Sequence, residues 1–220
     1  MEIIVPYSRI ALFDLDRTLL DCNISMEFYL FLIKKKCIPV GSVPVCLLYY
    51  IKHRYFEFPL INMHHIVFDQ FLLKRSSQLI FQYIDEFVEM LLPGMLYMPA
   101  FIELKRAIHL GHYTAILTST PKFIAEPIAK SFGVHALYAT EYAIDDKGDF
   151  CSISRIIEGG EKAKITSQIQ KELDIATHRV SAYSDSFHDI DFLCCSGEKI
   201  AVNPDKRLKS YSLEKNWKII

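Results

Sequence analysis

Four short apolar runs in this chain each end in polar residues. Ile10 to Phe13 runs into Asp14, and Tyr113 to Leu117 into Thr118-Ser119-Thr120-Pro121. Arg179 to Tyr183 runs into Ser184-Asp185-Ser186, and Lys199 to Val202 into Asn203-Pro204-Asp205. A short run without alternation is the pattern of a strand buried on both faces. Helical stretches lie between the runs, notably Phe101 to Leu110, stopped by Gly111, and Ala163 to Leu173. Strands alternating with helices imply a parallel α/β sheet. Open sheets of this class build their sites at the carboxyl ends of the strands. Asp14, Asp16, Thr118 and Asp185 are therefore expected to meet in one crevice. Pro121 is expected in the first turn of the helix after the second strand, with Thr120 as its cap.

The stretch from about Asn23 to Pro93 reads differently. It carries aromatic-rich helical patterns at Met26 to Ile33, Val45 to Tyr55, Ile66 to Leu73 and Ser77 to Leu92. It is expected to be a helical insertion after the first strand, with Pro93-Gly94 marking the return. A chain of 220 residues suits one domain, or a core with one modest insertion. With 51% hydrophobic residues it is too apolar for a disordered chain. The balance of 25 basic against 26 acidic residues excludes a general nucleic-acid binder, which needs a basic excess.

The six cysteines include no CxxC pair and no zinc spacing, and Cys194-Cys195 read as small hydrophobes in a helix. Among the eight histidines, His64-His65 point apart on a helix and His109 and His112 straddle Gly111, so no histidine metal site is expected. Met1 to Pro6 lacks a basic region followed by an apolar one, the pattern of a secretory signal. The expectation is a cytoplasmic chain with free thiols.

Asp14 and Asp16 place two carboxylates two residues apart, just past a buried strand. Carboxylates so close repel each other, and a magnesium ion, which prefers hard oxygen ligands, is a natural counter-charge. One carboxylate could then serve as nucleophile and the other as general acid and base. Asp185 and Asp189 add two more acids at another strand end, Thr118 offers a hydroxyl at a third, and Lys162 follows Gly159-Gly160 near a helix start.

Asp14-Leu15-Asp16-Arg17-Thr18 resembles the DxDxT signature of the haloacid dehalogenase (HAD) superfamily of phosphatases. Thr118 matches the second motif of that family, Lys162 the third, and Asp185 with Asp189 the fourth. Order and spacing fit over nearly the whole chain, and the insertion resembles the helical C1-type cap. Leu117 to Pro121, Ala139-Thr140-Glu141 and Ala201 to Asp205 resemble the phosphoserine-phosphatase-like branch. Within that branch the chain looks similar to bacterial phosphatidylglycerophosphatase C-like proteins, whose Tyr-Ser-Asp-Ser string recurs at Tyr183 to Ser186.

The resemblance implies a Rossmann-like core over residues 1–22 and 94–220, with a cap over 23–93. It implies that Asp14 attacks phosphorus to form an aspartyl-phosphate. Asp16 would protonate the leaving oxygen and then deprotonate water. Mg2+ would be held by the Asp14 carboxylate, the Asp16 main-chain carbonyl and Asp185, with Asp189 in support. Thr118, Ser119 and Lys162 would hold the phosphoryl oxygens. Two positions depart from the pattern. Ser184 stands where the fourth motif usually has glycine, and serine restricts a turn more. Lys164 fits the register of soluble phosphoserine phosphatases, so it stays a second phosphate-binding candidate beside the preferred Lys162.

Cys37 to Ile51 carries no charge over fifteen residues, between Lys34-Lys35-Lys36 and Lys52-His53-Arg54. It falls short of the ~20 residues a transmembrane helix needs. Basic flanks, with Tyr49, Tyr50 and Tyr55, suit a segment lying in a bilayer interface. The other reading is a cap packed on the core, on itself or on a second copy. The first reading implies a lipid phosphomonoester such as phosphatidylglycerol phosphate, met at the inner face of the cytoplasmic membrane, with Arg54, Lys74 or Arg75 near the headgroup. The second implies a soluble ester such as phosphoserine. The lipid reading is preferred here. A phosphotransferase remains open, as does a catalytically inert HAD-fold binding protein, against which the complete acid, hydroxyl and lysine set argues.

Overall fold

The computed structural model describes residues 7–44, 48–49, 51 and 59–220. Its centre is a seven-stranded sheet of order β4-β3-β2-β1-β5-β6-β7. The strands are β1 (Ile10–Phe13), β2 (Tyr113–Pro121), β3 (Ala136–Ile144), β4 (Phe150–Arg155), β5 (Val180–Ser184), β6 (Glu198–Ala201) and β7 (Lys218–Ile219). All neighbouring pairs are parallel except β3 with β4. The mixed α/β architecture expected from the apolar runs is present.

β1 shows why its run is unbroken. Ala11 and Phe13 enter one apolar cluster, and Ile10 and Leu12 enter another on the opposite face. Covered on both faces, the strand has no position for a polar side chain. Phe13 pairs with Ile116 of β2 and with Tyr183 of β5. That register sets Asp14, Thr118 and Asp185 at one edge of the sheet. The chain order reverses direction on either side of β1, which places this edge at the topological switch point.

The structure departs from the sequence expectations in several places. β2 does not stop at Leu117 but continues to Pro121, which becomes the N-cap of helix Lys122–Phe132. Thr120 is therefore a strand residue, and that helix has no side-chain cap. β3 and β4 carry no uniformly apolar run. They form an antiparallel pair at the sheet edge, where Cys151, Ser152, Ser154 and Arg155 face solvent. Their half-exposed pattern hid them in the sequence. Cys194 ends helix Ile190–Cys194 exposed rather than packed.

The described helices between β1 and β2 are α1 (Ile24–Lys34), α2 (Leu60–Phe71), α3 (Gln78–Phe81), α4 (Ile84–Leu91) and α5 (Met98–His109). The expected helix Ser77 to Leu92 is broken at Gln82-Tyr83. Most of the expected helix Val45 to Tyr55 lies outside the described residues. The chain leaves and re-enters the core as a ribbon: Leu20 bridges Leu96, and the amides of Asp21 and Tyr97 donate to the carbonyls of Met95 and Leu19.

The insertion is joined to the sheet by aromatic packing and by backbone bonds. Phe87 packs on Phe28 and Phe31 at 4.9 and 5.4 Å, and Phe81 meets Phe123 and Phe150 of the core. Residues 74–77 lie along the β4 edge, where Lys74 N donates to Phe150 O, Phe150 N to Arg75 O and Ser77 N to Gly148 O. The His64 ring nitrogen bonds Tyr142 Oη at 2.8 Å. Phe28, Phe31 and Leu32, before the lysine run, are buried in the core. Among the described residues, no helix is long and apolar enough to cross a membrane.

Candidate active site

Asp14 leaves β1 with its amide donating to Tyr183 O of β5 at 2.9 Å. The chain then turns tightly, with Arg17 in the left-handed region at φ 57°. The turn brings Asp16 back over the strand ends. One Asp16 oxygen accepts from the Ile24 amide at 2.7 Å and the other from Thr120 Oγ at 2.6 Å.

Lys162 rises from the helix Gly159–Glu172. Its Nζ donates to Asp14 Oδ1 and to Asp189 Oδ2, each at 2.7 Å. Gly159 makes this approach possible, since a Cβ there would lie 2.1 Å from the His188 carbonyl oxygen. Asp189 Oδ2 also accepts from Ser184 Oγ at 2.7 Å. Ser184 does not have a positive φ, so this turn makes no demand for glycine, and the serine adds a partner to Asp189. Asp205 braces the same loop: its carboxylate accepts from Phe187 N and Leu208 N, and its amide donates to Asp185 O.

The cluster is crowded with negative charge. Burial pushes Asp14 up to about 7, with the Lys162 ammonium opposing and the Asp189 carboxylate adding. Burial, then Asp14 and Asp189, hold Asp185 well above the ordinary carboxylate range. Burial alone would lower Lys162, but Asp14 and Asp189 outweigh it and keep the ammonium charged. Burial raises Asp16, against the bonds from Thr120 and Ile24.

Of the residues expected from sequence, Asp14, Lys162 and Asp189 are in direct contact, and Asp185 shares their field. Thr118 is fully buried and its Oγ accepts from the Thr120 amide at 3.1 Å. Ser119 is half-buried beside it. Lys164 is not brought to the cluster. Its side chain is 80% exposed and pairs with Glu161, because two residues along a helix turn it to the other face. Lys164 therefore stands outside the contacts that join Asp14, Lys162 and Asp189. Thr120, Ser184, Gly159 and Asp205 take parts that the sequence reading did not assign. Thr120 and Asp205 lie in Leu117 to Pro121 and Ala201 to Asp205, and the hydroxyl-rich Thr118-Ser119-Thr120 string was the available signal.

A cleft of about 510 Å³ at the start of the insertion is lined by Arg17, Asn23, Glu27, Tyr29, Leu30 and Val43.

Comparison with known proteins shows the family and the fold. A family model described as haloacid dehalogenase-like hydrolase matches residues 11–193. A Mycobacterium tuberculosis protein named phosphoserine phosphatase SerB1 is 31% identical over 110 residues, half of this chain and 36% of the relative. A Neisseria meningitidis protein named histidinol-phosphatase is 28% identical over 115 residues, half of this chain and 52% of the relative. The matched stretch is thus about a third to a half of these relatives' length. A Bordetella pertussis protein of unknown function superposes with a TM-score of 0.83 at 24% identity, covering 97% of this chain and 98% of that one. A phosphoserine phosphatase with a phospho-aspartyl intermediate analogue superposes with a TM-score of 0.71 at 16% identity, covering 97% and 92%.

Proposed function

This chain belongs to the haloacid dehalogenase-like hydrolase family, and on that premise we propose that it hydrolyses phosphomonoesters through an aspartyl-phosphate on Asp14. The observation that carries the reading is the Lys162 ammonium held between Asp14 and Asp189, with Asp16 fixed alongside. An Asp14 oxygen attacks phosphorus as the bond to the leaving oxygen breaks, and Asp16 gives that oxygen its proton. Water then attacks the phosphoryl group and passes a proton to Asp16. The bond to Asp14 breaks, phosphate leaves, and both carboxyl groups return to their starting states. Lys162 and the Thr118 hydroxyl are placed to hold phosphoryl oxygens, where neutralising charge is most of the work.

Phosphatases of this family generally use magnesium. Among the described residues, no three His, Cys, Asp or Glu side chains form a ready metal cage. The donor set expected here is smaller: the Asp14 and Asp185 carboxylates with the Asp16 main-chain carbonyl. It fits magnesium, which keeps several waters and takes one or two carboxylates plus phosphate oxygens. At the strand ends the buried acids Asp14, Asp185 and Asp189 outnumber the buried Lys162, which supports the same fit. When bound, the ion supplies positive charge against the phosphoryl oxygens. Asp189, bonded to Lys162 and Ser184, supports that set from behind.

The insertion, taken as residues 23–93, acts as the cap over the leaving group. Its cleft mixes Arg17, Asn23 and Glu27 with Tyr29, Leu30 and Val43. That lining suits a small soluble ester carrying both polar and apolar parts, and acidic Glu27 disfavours a second phosphate. The names of the phosphoserine and histidinol phosphatases support the same class. A lipid phosphate is the second reading. It draws on Val40 and Leu48, 69% and 50% exposed, near exposed Lys34 and Lys36. Phosphate release with Mg2+ from phosphoserine, histidinol phosphate, phosphatidylglycerol phosphate in mixed micelles and an aryl phosphate tests both, with Asp14→Asn as the blank. Preference for a soluble ester supports the first reading. Preference for the lipid, with flotation on anionic liposomes, supports the second. Silence on every ester removes the phosphatase reading.

A further inference from the structure

We infer that Thr120 is a positioning residue for the acid–base step, aiming the Asp16 carboxylate through its hydroxyl. The inference rests on the phosphatase reading above and adds a residue to it. Thr120 is 1% exposed, and its hydroxyl donates to Asp16 Oδ2 at 2.6 Å across 104 residues of sequence. The following helix takes Pro121 as its N-cap and makes no side-chain cap bond. The hydroxyl is therefore not spent on the helix.

The second Asp16 oxygen is held by the Ile24 amide at 2.7 Å, from the first turn of α1. Asp16 is thus clamped between strand β2 of the sheet and the first helix of the insertion. The clamp also reaches the phosphate-facing hydroxyl, because the Thr120 amide donates to Thr118 Oγ at 3.1 Å. One extended strand end therefore supports both Thr118 and the orientation of Asp16. A general acid must lie within hydrogen-bond reach of the oxygen it protonates, so a carboxylate free to turn delivers its proton less often. A hydroxyl suits this position because it can donate to an ionised carboxylate and accept from a protonated one. It can stay bonded through both halves of the cycle.

The test compares leaving groups. An aryl phosphate leaves with little help from an acid, whereas an alkyl phosphate needs its oxygen protonated. Thr120→Val, close in shape and lacking the hydroxyl, should lower kcat/KM on the alkyl ester about tenfold, the loss of one hydrogen bond to a charged group. On the aryl ester kcat/KM, which reports phosphoenzyme formation and not its hydrolysis, should stay within about twofold. Thr120→Ser should restore the alkyl rate. In the Asp16→Asn background, Thr120→Val should have no further effect, since the residue acts through Asp16. A crystal structure of Thr120→Val should show the Asp16 carboxylate turned from its wild-type orientation.

Equal losses of kcat/KM on both esters, additive losses in the double variant, or an unmoved Asp16 would overturn the inference. If the wild type cleaves neither ester, the phosphatase reading fails. If the wild type is active and Asp16→Asn impaired while Thr120→Val behaves as wild type on both esters, only the role of Thr120 fails.

Discussion

Asp14 and Phe87 are both almost completely buried, at 6% and 0% exposure, for opposite reasons. Asp14 sits among like charges, held by one lysine and by the register of β1 between β2 and β5. Phe87 sits among Phe28 and Phe31, held by packing alone. The strand-end cluster thus carries an electrostatic cost that packing of the surrounding sheet offsets, whereas the insertion contributes stability with every ring it buries. Function and stability should therefore separate when each region is mutated.

The largest separation is expected at Asp14. Asp14→Asn should lower phosphate release by at least about a thousandfold, since an amide is no nucleophile here. Its melting temperature should hold or rise, because one crowded charge is gone. Thermal unfolding beside the activity assay checks both halves. Lys162→Ala should cost a hundredfold or so in kcat/KM, and Lys164→Ala less than about twofold. The reverse ranking would move the phosphate-facing role out of the cluster.

Phe87→Ala probes the other side of the comparison. It should destabilise the fold by about 3–5 kcal/mol, read by denaturant unfolding, through the cavity it leaves. The molecules still folded should keep the wild-type rate constant for phosphoenzyme formation.

A subtler effect comes from charge. Asp14 is raised to about 7 from an ordinary value of 3.8. A carboxyl raised in the folded state contributes stability below its unfolded value and loses it as pH climbs through the folded one. Metal-free protein should therefore lose thermal stability between about pH 4 and pH 7. Added Mg2+ should raise the melting temperature more at the higher pH, where it no longer competes with protons. An equal gain at both values would mean that the crowded carboxylates are not the ion's ligands.

The smallest effect concerns the seam between the two regions. Tyr142→Phe removes the hydroxyl that meets His64, and should cost only about 1 kcal/mol. Hydrogen exchange should rise at residues 74–77 and 148–150 before it rises at β1.

The regions also differed in how much of them the sequence disclosed. Asp14, Asp16 and Asp185 were readable because each follows a strand whose unbroken apolar run marks its own end. The choice of Lys162 over Lys164 needed helix geometry, which local spacing leaves undecided. Thr120 was misread as a cap because strand and cap residues look alike beside a proline, and only the β2 register carries it to Asp16. Strands β3 and β4 escaped notice because an edge hairpin exposes half of its side chains. The insertion's aromatic residues marked it as helical, but its break at Gln82-Tyr83 and its seam along β4 depend on tertiary contacts.

The central claim is that Asp14 carries the phosphoryl group between substrate and water. Rapid acid quenching of the wild type during turnover of an aryl phosphate, followed by peptide mass spectrometry, tests it directly. The account predicts one phosphoryl group on the peptide containing Asp14, absent from Asp14→Asn and accumulating in Asp16→Asn. Steady turnover with no phosphorylated peptide, or with the phosphoryl group on another residue, would contradict it.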